Sequence, residues 1–195
     1  MHCDALDLRN FYASPLGRHV VAQIHGKLAA WWENVPKQDI LLGIGFATPF
    51  LESFECETFA GMPPGQGVIH WPREKPGRVF MCEDGALPLP DCCINHILMV
   101  HSLEHAEHPR PLLREAWRVL VGGGSLVVVV PSRAGIWARS DGTPFGFGSP
   151  FSPGQIDDLL RSSMFIPDRI ERALLMPPFH GGIAMRSAGM WEKLS

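Results

Sequence analysis

His101-Ser102-Leu103-Glu104-His105 spells H-x-x-E-H. On a helix the two imidazoles lie one turn apart and can share a metal, with Glu104 as base, the pattern of an inverted zinc protease. Such a site needs a third ligand downstream, and Glu171 is the plausible acid before Glu192. The motif follows directly on the apolar run Ile94–Val100 and is stopped by Pro109, so no long helix carries it. We therefore expect no metal, and read residues 101–106 as a short helical turn holding a partly buried histidine. Gly43-Ile44-Gly45 closes another apolar run and offers backbone that a ligand can approach, or a tight structural turn. The lysine of a phosphate-binding loop is missing there, which speaks against a nucleoside triphosphatase. Cys82-Glu83-Asp84 ends a further short run, where the two acids can accept from an adenine amino group or a ribose, or form a solvated loop. Tyr12, the one tyrosine, and Trp71 are read either as a lid or acceptor-side pair or as packing anchors.

These residues need elements to hold them. Val20, Val21, Ile24, Leu28 and Trp31 predict a helix over 20–32, halted before Pro36. Short apolar runs predict strands over 40–44, 57–60, 78–82, 94–100, 126–130 and 170–176. Helices are expected over 46–54, over 111–121 with Gly122-Gly123-Gly124 as a left-handed stop, and after the capping box Ser152-Pro153-Gly154-Gln155. Residues 140–153 read as a loop, Leu87-Pro88-Leu89-Pro90-Asp91 as a rigid connector, and residues 183–195 as a helical tail. Strands alternating with helices imply an α/β protein with a mostly parallel sheet covered on both faces. Ligands of such sheets bind beyond the carboxyl ends of the strands, which places the loops after Ile44, Cys82 and Val100 at one edge.

Length and charge narrow the function. The 195 residues suit one domain, divided into a helical cap (1–36), a core (37–176) and a tail (177–195). Seventeen basic against twenty acidic residues give a net charge of -3, which argues against nucleic acid as a partner. No apolar stretch reaches the ~18 residues of a membrane span, and the N-terminus lacks a signal-peptide core, so a cytoplasmic protein is expected. Five cysteines without a C-x-x-C pair predict reduced thiols and no disulfide framework.

In order, LLGIGFATPF and CEDGALPLPDCCINHILMVHSLEHAEHPRPLLREAWRVLVGGGSLVVVVPSRAG resemble class I S-adenosylmethionine-dependent methyltransferases of the type 11 branch, over about residues 39–176. The resemblance implies a three-layer, Rossmann-like, doubly wound fold with S-adenosylmethionine as cofactor. It implies cofactor contacts at Gly43, Ile44, Gly45, Met62, Glu83, Asp84 and His101, with His101 beside the methyl donor as the catalytic candidate. His105 is a second candidate base; His70 and His180 are more remote. Tyr12 would cover the site. Three departures stand out. Leu41 replaces the acid before the glycine loop, Phe59-Ala60-Gly61-Met62 lacks the ribose-binding acid, and the last edge strand is missing after Met176. A shorter chain or a partner copy that completes the sheet would explain the third. The expected function is methyl transfer to a small-molecule acceptor; the alternative is a methyltransferase-like binding or scaffold module without catalysis. A nicotinamide-dependent dehydrogenase ranks lower, because it needs a carboxylate or an arginine after the second strand.

Overall fold

The computed structural model describes residues 4–175. Asp4 starts the first helix. Its carboxylate accepts the Leu6 and Asp7 N–H groups at 2.9 and 2.8 Å, two donors that a helix start leaves unpaired. This helix, α1 (Ala5–Ala13), ends at Ser14, whose Oγ accepts from Gly17 N at 3.0 Å and caps α2 (Pro15–Trp31). The apolar spacing over 20–32 covers only part of α2, and α1 gives no such signal, because its buried face is only Ala5, Leu8 and Tyr12 set among polar residues. The two helices meet at Gly17, where a Cβ would lie 2.0 Å from the Phe11 carbonyl oxygen.

Five strands follow: β1 (Ile40–Gly45), β2 (Glu57–Met62), β3 (Val79–Met81), β4 (Ile94–Val100) and β5 (Leu120–Val129). They pair in parallel in the order β3-β2-β1-β4-β5, so strand order reverses at β1 and β4. Side chains alternate across the sheet. Leu41, Ala60 and Leu98 pack with α1, α2 and the one-turn α3 (Thr48–Leu51). Leu42, Ile44, Ile97 and Met99 pack with α4 (Pro109–Val119) and α5 (Pro153–Ser162). The result is the expected three-layer α/β architecture.

Several local expectations change. The helix over 46–54 shrinks to α3. The helix over 111–121 starts at Pro109 and ends at Val119, because Leu120 is already extended, at ψ 137°. Gly122–Gly124 is no helix stop but an irregularity inside β5, where the register against β4 shifts between Ile94 and His96 and Gly123 takes φ +82°. Strand 126–130 is half-buried rather than fully buried, since β5 is the edge of the described sheet. Residues 170–175 form no strand, and Ile170 is 53% exposed. Met176, His180 and the tail lie outside the described residues, as does the question of a last strand. The capping box is present: Ser152 Oγ accepts from Gln155 N at 3.2 Å and Gln155 Oε1 from Ser152 N at 3.0 Å.

Two polar clusters pin loops to the sheet. Arg118, in the last turn of α4, donates to the Leu87 and Leu89 carbonyls at 3.1 and 2.9 Å and to Glu115 and Asp91 at 2.8 and 2.6 Å, fixing the Leu87–Asp91 connector. The Arg118 hydrogen bond holds the Glu115 carboxyl below its ordinary range. At the amino-terminal edge, His96 bridges Asp39 Oδ2 at 2.9 Å and Ser125 Oγ at 2.7 Å, and Trp32 Nε1 donates to the same Ser125 Oγ at 2.9 Å.

Gly17→Ala should lower stability by about 1–3 kcal/mol, since the backbone at the α1–α2 crossing has no room to yield. Gly26→Ala, on the exposed side of α2 with nothing within 4 Å, should be neutral or slightly stabilising. Thermal unfolding of both variants checks the pair, and equal Tm values would refute it.

Candidate functional site

The carboxyl ends of β1 to β4 open on a cleft of about 450 Å³, a volume in the range of small-ligand and cofactor sites. Each wall comes from one strand end. Ile44 belongs to β1, Pro63 to Gln66 follow β2, Cys82 to Gly85 follow β3, and Ser102 with His105 to His108 follow β4. Parallel strands place these loops side by side by construction, at the reversal of strand order. Glu83, Asp84 and Glu107 contribute carboxylates to the lining and His105 and His108 imidazoles, whereas among the described residues no lysine or arginine lines it. Asp84 also shapes the wall, because its Oδ2 accepts from Glu107 N at 3.0 Å.

Behind the β4 wall lies a buried polar chain. Tyr12 Oη and His101 Nε2 are 2.8 Å apart, and His101 Nδ1 lies 3.2 Å from Glu104 Oε1. The other carboxylate oxygen of Glu104 accepts from Ser102 N at 3.1 Å. His101 is wholly buried, as is its partner's carboxylate. Residue 101 takes φ +50°, turning the chain sharply as it leaves β4. The Gln66 side-chain Nε2 donates to the His101 carbonyl, and the Gln66 main-chain carbonyl accepts from Ala5 N at 2.8 Å, so one buried residue ties the β2 loop to both the turn and α1. Phe145 covers the imidazole at 4.8 Å between ring centroids. Residues 140–153, expected as a loop, thus close the site from the side.

The residues singled out in the sequence separate into two groups. Ile44, Glu83 and Asp84 line the cleft. Gly43, Gly45, Met62, His101, Tyr12 and Trp71 stand outside its lining. Gly43 serves packing: a Cβ there would lie 2.7 Å from Ala47 Cβ and 2.9 Å from a Leu51 methyl. Gly45, at φ +80°, passes so close to β4 that a Cβ would meet the Val100 oxygen at 2.4 Å. Met62 is buried at 1% exposure. Tyr12 stacks on Phe46, with centroids 5.8 Å apart and planes 9° apart. Trp71 is an anchor, donating to Glu52 Oε1 at 3.2 Å from a buried ring. Glu171, the downstream acid considered for a metal, pairs with Lys27 at 2.9 Å and Trp31 Nε1 at 3.0 Å instead. His70 lies exposed and contacts the Lys75 carbonyl. Sequence reasoning missed Gln66, Ser102 and His108; Gln66 carries no motif, and its contacts span residues 5 to 101.

Residues 39–128 match the model of a methyltransferase domain. The chain has the fold of the class I methyltransferases. Solved methyltransferases share the architecture. One from Thermotoga maritima, described as a possible histamine N-methyltransferase, superposes with TM-score 0.61 at 21% identity, over 81% of this chain and 75% of that one. A second, from Aquifex aeolicus, gives 0.57 at 14%, over 82% and 87%. The Haloferax volcanii protein solved with the Trm112 methyltransferase activator gives 0.58 at 14%, over 82% and 72%. No curated protein sequence matches the chain. In this fold the cleft therefore occupies the strand-end position that parallel sheets provide for ligands.

Burial, reinforced by the Asp84 carboxylate, pushes the Cys82 thiol at the cleft wall up to about 12. Alkylation of the native protein at mildly alkaline pH should modify exposed Cys92 and spare Cys82, which peptide mapping checks. The sign of the linkage also follows. The native chain keeps the Cys82 proton where a free thiol, with an ordinary value of 9.0, loses it, so this contribution to stability is full below 9.0 and declines as pH rises towards 12.

Proposed function

We propose that the chain is an S-adenosylmethionine-dependent methyltransferase acting on a small-molecule acceptor in the cleft. The observation that carries this reading is the position of Glu83, an exposed carboxylate at the end of β3 on the wall of a cleft of about 450 Å³. It accepts from the adenine amino group or a ribose hydroxyl. Ile44 supplies backbone from β1, and Asp84 holds the facing wall. Methyl transfer is an in-line displacement at a sulfonium, so the protein's main tasks are alignment and exclusion of water. Three carboxylates, with no lysine or arginine among the described lining residues, suit the cationic sulfonium and disfavour a phosphate-rich acceptor. Where the acceptor must lose a proton, His105 is the imidazole on the β4 wall, with His101 enclosed behind it. No described helix is long and apolar enough to cross a membrane, and we read the protein as cytoplasmic.

A second reading, a binding module without catalysis, is favoured by Met62. A buried thioether stands at the end of β2, where a carboxylate would hold the ribose. Loss of such a charged contact weakens binding by about 1.5–3 kcal/mol, roughly tenfold to a hundredfold.

Calorimetric titration with S-adenosylmethionine and its demethylated product separates the two. The enzyme reading predicts micromolar or tighter binding, weakened about tenfold or more in Glu83→Ala. Unchanged affinity in that variant would refute the adenine assignment. No binding up to millimolar cofactor would leave the binding-module reading.

A further inference from the structure

The H-x-x-E-H segment holds the turn after β4, but that role does not account for its set of two imidazoles and a carboxylate. It is not helical. Its turn at φ +50° instead folds the three side chains toward one another, so that one ligand atom each of His101, Glu104 and His105 lies within 4.8 Å of the others. We propose that these three residues form a binding site for a divalent transition-metal ion of the zinc type, at the β4 wall of the cleft.

Geometry and donor chemistry argue for it. Two imidazoles and one carboxylate are the set that takes borderline cations, and they are unsuited to magnesium or calcium, which select oxygen. With metal–ligand bonds of about 2.0 Å, neighbouring ligands of a tetrahedral ion sit about 3.3 Å apart. His101 Nδ1 and Glu104 Oε1 are already 3.2 Å apart. Both ligands are oriented from behind, as metal ligands generally are. Tyr12 Oη holds the far nitrogen of His101 at 2.8 Å, and Ser102 N holds the far oxygen of Glu104 at 3.1 Å. With an ion on Nδ1, the ring proton of His101 sits on Nε2, where Tyr12 Oη accepts it. His105 lines the cleft, so the site is entered from that side and keeps a coordination position toward it. Its use in polarising an oxygen or nitrogen acceptor rests on the methyltransferase reading; the binding of the ion does not.

The test strips the purified full chain with a chelator and titrates it with Zn²⁺ and with Co²⁺ as a spectroscopic substitute. One equivalent should bind, with visible d–d absorption of a low-coordinate cobalt ion and without the near-ultraviolet band of a thiolate ligand. His105→Ala and Glu104→Gln should each lower affinity at least tenfold, and Tyr12→Phe, which removes the outer partner, about tenfold. His70→Ala, at an exposed histidine away from the cleft, should leave it unchanged. Circular dichroism shows which variants are folded, and His105→Ala decides the matter if Glu104→Gln is not. Absence of stoichiometric binding, affinity indifferent to His105→Ala, or a thiolate band would overturn the site. Titration of the stripped protein with S-adenosylmethionine reads the cofactor assignment separately, so either idea can fail alone.

Discussion

The contact between Tyr12, His101 and Glu104 is the constraint around which the carboxyl edge of the sheet is organised. Three polar side chains are withdrawn from water here, and a buried polar group left unpaired costs about 1–3 kcal/mol. Each must therefore find its neighbour, and the neighbours come from different parts of the chain. Tyr12 arrives on α1, and His101 and Glu104 on the turn after β4. The third segment is the 140–153 loop. Ser149 N donates to the Glu104 carbonyl at 2.8 Å, and Gly148 passes so near that a Cβ would lie 2.6 Å from the same oxygen.

That arrangement explains why the edge is closed on one side and open on the other. On the α1–α2 side, aromatic rings fill the space: Tyr12 stacks on Phe46 and meets Phe50 edge-on at 5.6 Å, with Phe145 behind. On the α4 side, the loops after β2 and β3 offer Pro63, Pro64, Gly65 and Gly85, which have little side chain to fill a gap. The Arg118 cluster keeps the connector beyond β3 from collapsing into that gap, since three of its acceptors lie on residues 87 to 91. The cleft is thus the space left between a rigid aromatic plug and a tethered connector.

Much of this was legible in the residues where one physical signal dominates. The run Ile94–Val100 gives β4 with both ends correct, and Leu112, Leu113 and Ala116 give the buried face of α4. Placing Ile44, Glu83 and Asp84 at one edge needed only the rule for parallel sheets. The misreadings fall where one residue type serves two conformations. Glycines 122–124 suit a helix stop and a strand irregularity equally, and the pairing of β5 with β4 decides between them. α1 was missed because its face is narrow and because the partner of Tyr12 lies far along the chain. The histidine motif was recognised, but its period suggested a helix, and only the left-handed turn at His101 shows how three neighbours in sequence converge without one.

The distance between Tyr12 and His101 along the chain has a kinetic consequence. Eighty-nine positions separate them, so their contact closes a loop containing β1, β2, β3 and β4. Closing a loop of that length is an entropic cost that local contacts must precede. Asp4 and Ser14 can cap α1 and α2 as soon as the helices emerge, because their partners lie within three residues. The α1–α2 hairpin can therefore form on local contacts, whereas its docking through Tyr12 waits for β4 to turn at His101. The β4 wall of the cleft, which rests on that contact, is thus held by the longest-range of the three links in the Tyr12–His101–Glu104 chain and not by its neighbours in sequence.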